Sequence, residues 1–484
     1  MKILFATSEA HPLIKTGGLA DVSGSLPAAL GRLKQEVRLV LPAYPAAVAN
    51  AGALTRVASL ALAGVTASVD VLAGTVPGTS LPLYLIDSPA LFDREGGPYS
   101  QPDGTDWEDN ALRFGVFCRA VTELAMNRAG LDWRPDLVHC NDWQTALVPA
   151  FLTREVERPA SLFTIHNLAY QGLFSRTDFD ALKLPPAWWA LDQMEFYGKF
   201  SFIKGGLIHA DWLNTVSPGY AEEICTPEYG CGLDGLLAGR SDSLSGILNG
   251  VDYDVWSPEK DSFIPRPYSA ATIELKQENK SALQDAFGLP VDADAVVLGH
   301  VGRLVEQKGV DLILKTIPEL VHKPVQLVLL GTGQRELENV AEKAGLAYPK
   351  KVGTRIGYDE SLSHLLEAGS DVFLMPSRFE PCGLNQLYSL RYGTPPVVRH
   401  TGGLADSVVD ARGGQGTGFV FDAISAKALS NAIERALALH RKPIDWSALV
   451  QNGMRQDFSW NHSATQYLEL YQNAIDRARR RVIA

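Results

Sequence analysis

The chain has 484 residues, 46% of them hydrophobic, more than one hydrophobic core serves, so two or three well-packed domains are predicted and disorder is not. Lys plus Arg total 44 against 55 Asp plus Glu, a formal charge of -11 that argues against nucleic acid or an anionic membrane as a partner; an anionic ligand must be held locally. The five cysteines, Cys118, Cys140, Cys225, Cys231 and Cys382, are odd in number and form no CxxC pair. Neither a disulfide framework nor a zinc site is therefore predicted, and with no apolar stretch long enough for a signal core or a membrane span the expected location is the cytoplasm.

Short apolar, β-branched runs alternate with helical stretches along the first half: Ile3 to Thr7, Val37 to Leu41, Leu83 to Ile86, Leu137 to His139, Leu162 to Ile165 and Leu213 to Val216. The plan repeats in the second half with Ala295 to Val301, Val325 to Leu330, Val352 to Ile356, Val372 to Met375 and Pro396 to Val398. This alternation predicts an α/β protein of two doubly wound, Rossmann-like domains. Asn249-Gly250-Val251-Asp252 is a turn signal and begins a segment carrying Pro258, Pro265 and Pro267, which places the boundary between residues 1–248 and 249–459. The last stretch, 460–484, spaces Tyr467, Leu468, Leu470, Tyr471 and Ile475 as a helix does and is expected to dock back on the first domain.

Ligands of open parallel sheets bind beyond the carboxyl ends of the strands, and the informative motifs fall there. Thr-Gly-Gly-Leu-Ala-Asp occurs at 16 to 21 and again at 401 to 406, each time after a strand. Paired glycines let backbone N–H groups approach a ligand at a helix N-terminus, and Lys15 adds a cation; a plain strand-to-helix turn is the alternative. Arg303 and Lys308 follow another strand, where two cations can clamp a diphosphate or simply pair with Glu306. Glu380, in Ser377-Arg-Phe-Glu-Pro-Cys-Gly-Leu384, stands at a strand end, suited to hold sugar hydroxyls or to interact with a helix dipole. His139 to Gln144 and Thr164 to Gly172 place polar groups beside aromatic rings, as a pyranose requires, although Trp143 packing a helix and His166 as a core histidine are the plainer readings. Asp252 and Asp254 are set aside as a solvated pair rather than a metal site, and Gly331-Thr332-Gly333 lacks the third glycine of a dinucleotide fingerprint, which argues against nicotinamide and leaves a phosphate-facing loop open.

Taken together, Lys15 to Asp21, His166-Asn167, Arg303 with Lys308, Ser377 to Leu384 and Thr401 to Leu404 resemble the bacterial glycogen synthases and plant starch synthases, nearly end to end. The resemblance implies the GT-B fold, two domains facing across a cleft. It also implies retaining transfer of glucose from ADP-glucose to the non-reducing end of an α-1,4-glucan or glycogen, with no cofactor and no metal. It implies that Arg303 and Lys308 hold the donor diphosphate, helped by Lys15, Gly18, Gly302 and the Thr401, Gly402 and Gly403 backbone. Glu380 would bind the transferring glucose, and His166 would sit against it. Asp21, Asn249, Cys382, Gly383 and Leu384 would complete the donor contacts, with Tyr358 as a candidate for stacking on the base. Tyr99, Asp142 and Trp143 would meet the acceptor. The chain departs from the commonest pattern at Asn141, Gln144, Asn385 and His400. Tyr388 stands where other retaining enzymes of this fold place a second Glu for ribose, so ribose recognition is not carried over. ADP-glucose against UDP-glucose stays open, as does oligomeric state. The rivals are a pyridoxal-phosphate glucan phosphorylase, for which no cofactor-lysine motif is visible, and a non-catalytic glucan-binding protein, which has no use for the cations and glycine loops.

Overall fold

The computed structural model describes residues 1–483, with side chains through residue 480, and the chain divides into two compact units: Met1–Gly250 joined by Trp460 onward, and Val251–Ser459.

The first unit is built on β1 (Lys2–Ala6), β2 (Glu36–Pro42), β3 (Thr55–Leu60), β4 (Val69–Thr75), β5 (Pro82–Asp87), β6 (Leu137–Asn141) and β7 (Ala160–Ile165). β8 (Leu173–Phe174), β9 (Glu195–Phe196) and β10 (Lys199–Ser201) form a separate small antiparallel sheet, and β11 (Trp212–Thr215) and β12 (Leu244–Gly246) return to the main one. The main sheet runs β12-β11-β7-β6-β1-β2-β5-β4-β3. All neighbours are parallel except the β5, β4 and β3 pairings. The parallel strands are apolar because helices cover both faces, so Ile3, Leu4, Phe5 and Ala6 are all fully buried in succession. β3 and β4 were not among the predicted strands: on β3 no residue is buried, so the apolar run that marks a central strand is absent.

The helix Trp460–Ile483 lies on this unit. Tyr467, Leu470, Tyr471 and Ala474 are buried at helical spacing, and two of its hydroxyls enter the sheet. Tyr467 Oη accepts from Asn214 Nδ2 at 3.1 Å, and Tyr471 Oη lies 2.9 Å from His139 Nδ1. His139 continues to Thr164 Oγ1 at 2.8 Å. These bonds satisfy polar groups in the middle of buried strands that would otherwise be costly.

The second unit has β13 (Val296–Val301), β14 (Val325–Gly331), β15 (Val352–Ile356), β16 (Val372–Met375), β17 (Pro396–Arg399) and β18 (Phe419–Phe421), all parallel, in the order β15-β14-β13-β16-β17-β18. β18, only three residues long, escapes a periodicity reading.

In each sheet the strand order reverses once around the unit's first strand. β1 has β2 on one side and β6 on the other, and β13 has β14 and β16. Loops leaving the two strands of such a pair diverge to opposite faces of the sheet and open a crevice at their carboxyl ends. The loops in question are those after β1 and β6 in the first unit and after β13 and β16 in the second.

Candidate active site

After β1 the chain is organised by a residue the motif reading passed over. Glu9, buried, accepts from Thr16 N (2.6 Å), Thr16 Oγ1 (2.8 Å) and Gly17 N (3.2 Å), and from Tyr99 Oη at 2.9 Å, while Tyr99 Oη also meets Ser8 Oγ at 2.7 Å. A carboxylate accepting several N–H and O–H groups fixes the Thr16 turn ahead of the helix Gly18–Arg32. Its signal in the sequence, an acid seven residues before Thr16, is too common to find unaided. Two expectations change as a result. The N–H of Gly17 is committed to Glu9, so the backbone left to meet a ligand begins at Gly18. The Tyr99 hydroxyl belongs to this network and braces the loop. Lys15 Nζ lies 2.7 Å from Asp21 Oδ1, with about a third of each side chain exposed, so these two predicted contacts neutralise each other.

The loops after β6 and β7 meet each other. Asp142 has φ 57° and ψ -179°, a conformation sparsely populated by any residue but glycine. It is held there by its own N–H to Thr164 O (3.0 Å) and by its Oδ1, which accepts from His166 N at 2.7 Å. Burial raises the Asp142 carboxyl to about 7 against those backbone donors, and burial lowers His166 to about 3, so the imidazole is neutral. The His166 ring is positioned by Asn141, whose Oδ1 lies 3.0 Å from Nε2. Trp143 is half-buried among aromatic rings. Its ring packs edge-on against Phe114 (4.9 Å) and Phe202 (5.9 Å) and against Phe174 (5.6 Å), and a Cβ on Gly172 would strike it at 2.5 Å. These contacts give it a packing role on the helices that carry Phe114 and Phe202. Asn249 is buried at the end of the first unit's main segment.

In the second unit the loops after β13 and β16 bring Lys308 and Glu380 together, Nζ to Oε2 at 2.6 Å, with 20% and 6% of the side chains exposed. Ser377 Oγ donates to the same oxygen at 3.0 Å. Arg303 is exposed on the first of these loops, and Gly302 begins it. Glu306 does not take up either cation; its carbonyl and the Asp311 carboxylate receive Arg378 instead, the latter bidentately at 2.7 and 3.0 Å. This ties the two loops together, and the pair holds Asp311 at about 2. Arg399 Nε donates to Ser377 O at 2.9 Å from beneath. Neither Asp311 nor Arg399 stood out in the sequence, because both act on backbone or on a partner far along the chain.

The second copy of the hexapeptide uses its glycines differently. Gly402 has φ 42°, in the left-handed region, and a Cβ on Gly403 would lie 2.2 Å from Cys382 O. Gly403 N donates to Glu380 O at 3.1 Å, so Thr401, Gly402 and Gly403 are packed on the Glu380–Cys382 backbone. At Gly17 and Gly18, by contrast, an added Cβ meets nothing within 4 Å, and neither residue has a positive φ. Those glycines keep space open. Cys382 is buried; Gly383 N-terminal to the helix Asn385–Arg391 packs on Gln386, and Leu384 precedes that helix. Tyr388 is stacked on Trp256 at 4.0 Å and 2°, a packing role in keeping with the absence of a ribose carboxylate there. Tyr358 is 74% exposed after β15, two strands away from β13, and its hydroxyl donates to Glu360 Oε2 at 3.3 Å. The loop after β14 is not a phosphate cradle, since Glu338 Oε1 already accepts from Gly333 N (2.7 Å) and Thr332 Oγ1 (2.6 Å). Asp252 caps Asp254 N and Asp254 pairs with Lys260; among the described residues no His, Cys, Asp and Glu cluster has metal-binding geometry.

Residues 2–239 match the family model of the starch synthase catalytic domain, and residues 284–452 that of glycosyl transferases group 1. The chain is 56% identical to a glycogen synthase of Thioalkalivibrio sulfidiphilus over 98% of this chain and 100% of the relative. It is 54% identical to glycogen synthase 1 of Methylococcus capsulatus over 98% and 97%. Its structure is similar to the catalytic domain of starch synthase IV from Arabidopsis thaliana bound to ADP and acarbose, with a TM-score of 0.87 and 34% identity over 98% of this chain and 99% of that one. A sucrose-phosphate synthase from Thermosynechococcus elongatus, at 18% identity and a TM-score of 0.59 over 97% and 98%, shares the fold. With the sheet order, the paired loops and relatives matched over their whole length, the chain belongs to the glycogen synthase family, hexosyltransferases of the GT-B fold.

Proposed function

We propose that this chain transfers glucose from ADP-glucose to the non-reducing end of an α-1,4-glucan, with retention of anomeric configuration and release of ADP. The observation that carries the reading is the partly buried Lys308–Glu380 pair at the crevice of the second sheet, set beside a solved relative bound to ADP and acarbose.

A nucleoside diphosphate leaves as an anion, and its departure is eased by fixed positive charge and backbone N–H groups. Lys308 and exposed Arg303 are assigned that charge, with the Gly402 backbone near phosphate. Binding of the diphosphate draws Lys308 toward phosphate and leaves Glu380 to accept hydroxyls of the transferring glucose. The C1–O bond to the diphosphate breaks as an oxocarbenium-like centre forms, and the acceptor 4-hydroxyl attacks from the same face. Its proton passes to a phosphate oxygen of the departing ADP, so no enzyme nucleophile is used. His166 and Asp142 border the reacting sugar and acceptor. No metal or cofactor is assigned a part, and five cysteines outside any disulfide suit a reducing, cytoplasmic setting.

Comparison of kcat/KM for ADP-glucose and UDP-glucose with glycogen as acceptor tests the donor. A clear ADP-glucose preference is expected; a UDP-glucose preference overturns the donor assignment, and absence of glucose transfer from either overturns the activity.

A further inference from the structure

An imidazole bonded at one ring nitrogen is a donor or an acceptor at the other, and its neighbour decides which. Asn141 Nδ2 donates to the carbonyl of Ala6 at 3.0 Å, which turns the amide oxygen toward His166, 3.0 Å from Nε2. An amide oxygen only accepts. Nε2 must carry the proton, and Nδ1 keeps its lone pair, with no hydrogen-bond partner among the described residues. Both ends of the arrangement are fixed: Ala6 closes the central strand β1, and the His166 N–H is held by Asp142 at 2.7 Å.

We propose that Asn141 is a positioning residue that locks His166 as the Nε2–H tautomer, so that Nδ1 offers a hydrogen-bond acceptor to a hydroxyl of the sugar being transferred. This rests on the reading of the chain as a glucosyltransferase with His166 at the reacting sugar. A protonated ring would donate at Nδ1 and lose the function; burial, which lowers the ring to about 3, keeps it neutral. The titratable groups around it are His139 on β6, itself held neutral by burial, Asp142 on the loop after β6, Tyr220 behind that loop and Glu9 after β1, which adds negative potential at Asp142.

The test compares the full chain with Asn141→Leu and Asn141→Asp, reading two-bond 1H–15N spectra of the His166 ring alongside turnover. The wild type should show the Nε2–H tautomer from about pH 5 to about pH 8, the range in which an ordinary histidine titrates. Asn141→Leu should lose the fixed tautomer and about tenfold in kcat, the worth of one hydrogen bond, with the donor KM little changed. Asn141→Asp preserves size and the acceptor but adds a carboxylate. It should keep the tautomer and most of the turnover at high pH and gain an acid limb as the ring begins to protonate. An Asn141→Leu variant that keeps the tautomer, or loses it without loss of kcat, overturns the proposal, as does a wild-type pH profile in Asn141→Asp. Failure of the wild type to transfer glucose overturns the reading beneath it instead, and full turnover in His166→Gln overturns both the ring's role and the lock.

Discussion

At the scale of single residues, the Lys308–Glu380 pair ties stability to function more closely than an exposed lysine would. Glu380 is almost wholly buried, so Lys308→Ala strands its carboxylate with Ser377 Oγ as its remaining side-chain donor among the described residues. The cost is expected to be about 1–3 kcal/mol, the usual penalty for an unpaired buried group. Neutralising the carboxylate as well, in Lys308→Ala with Glu380→Gln, should restore most of the melting temperature while turnover stays depressed at least about a hundredfold, as when a charge-stabilising donor is removed. Equal loss of stability in single and double variants would show that the two side chains do not depend on each other. Asp142 gives a second residue-level expectation. Its folded pKa, about 7, lies above the ordinary value of 3.8, so the native state prefers it protonated. The stabilising contribution is fully present below about 3.8 and is lost as pH rises through about 7. Asp142→Asn, which keeps the carbonyl oxygen for His166 N, should therefore gain stability over the wild type, and by more at pH 8 than at pH 5, the difference being on the order of 2 kcal/mol. Denaturation at the two pH values measures it; a gain independent of pH would mean the carboxyl titrates normally.

At the scale of elements, one hexapeptide supports two local designs. Gly18 opens a helix and has open space where a Cβ would go, so Gly18→Ala should leave stability unchanged or raise it by about 0.5–1 kcal/mol through helix propensity. If the space serves the donor, kcat/KM falls even so. Gly403→Ala must push against the Cys382 carbonyl and should cost several kcal/mol, at the upper end of overpacking penalties of about 1–3 kcal/mol, since the obstacle is backbone. Thermal melts and steady-state kinetics on the two variants separate the roles. The repeat itself was legible in the sequence, but the difference was not, because it depends on Glu9 and Cys382, which lie outside both copies. The same holds more widely. Central parallel strands such as β1, β13 and β14 announce themselves as apolar runs, whereas β3 has no buried residue and β18 is too short for a period. Lys308 and Glu380 could each be named from their strand ends, but their pairing follows from strand order, β13 beside β16, which local sequence does not encode. The packing of Trp143 on Phe114, Phe174 and Phe202 was not legible either, because an aromatic beside polar residues looks the same in sequence whether it faces a sugar or other rings.

At the scale of the whole molecule, the first unit is discontinuous and the second is not. A chain ending at Ser459 lacks the helix that buries Tyr467, Leu470 and Tyr471 and leaves His139 Nδ1 and Asn214 without those hydroxyls. Calorimetry on that truncated chain should show a transition for the second unit and a lost or strongly lowered one for the first; two intact transitions would mean the helix is dispensable. The same discontinuity bears on synthesis. The first unit begins to emerge from the ribosome before the second, yet its last helix follows the whole of Val251–Ser459, roughly 210 residues or about 10–40 s of elongation at about 5–20 residues per second. During that interval the sheet around β6, β7 and β11 presents an uncovered apolar face with buried polar groups unmet, while the second unit is free to fold. The unit made first is thus the last to be finished, and the nascent chain is most exposed to aggregation and to chaperone capture at the surface that Tyr467 and Tyr471 will eventually close.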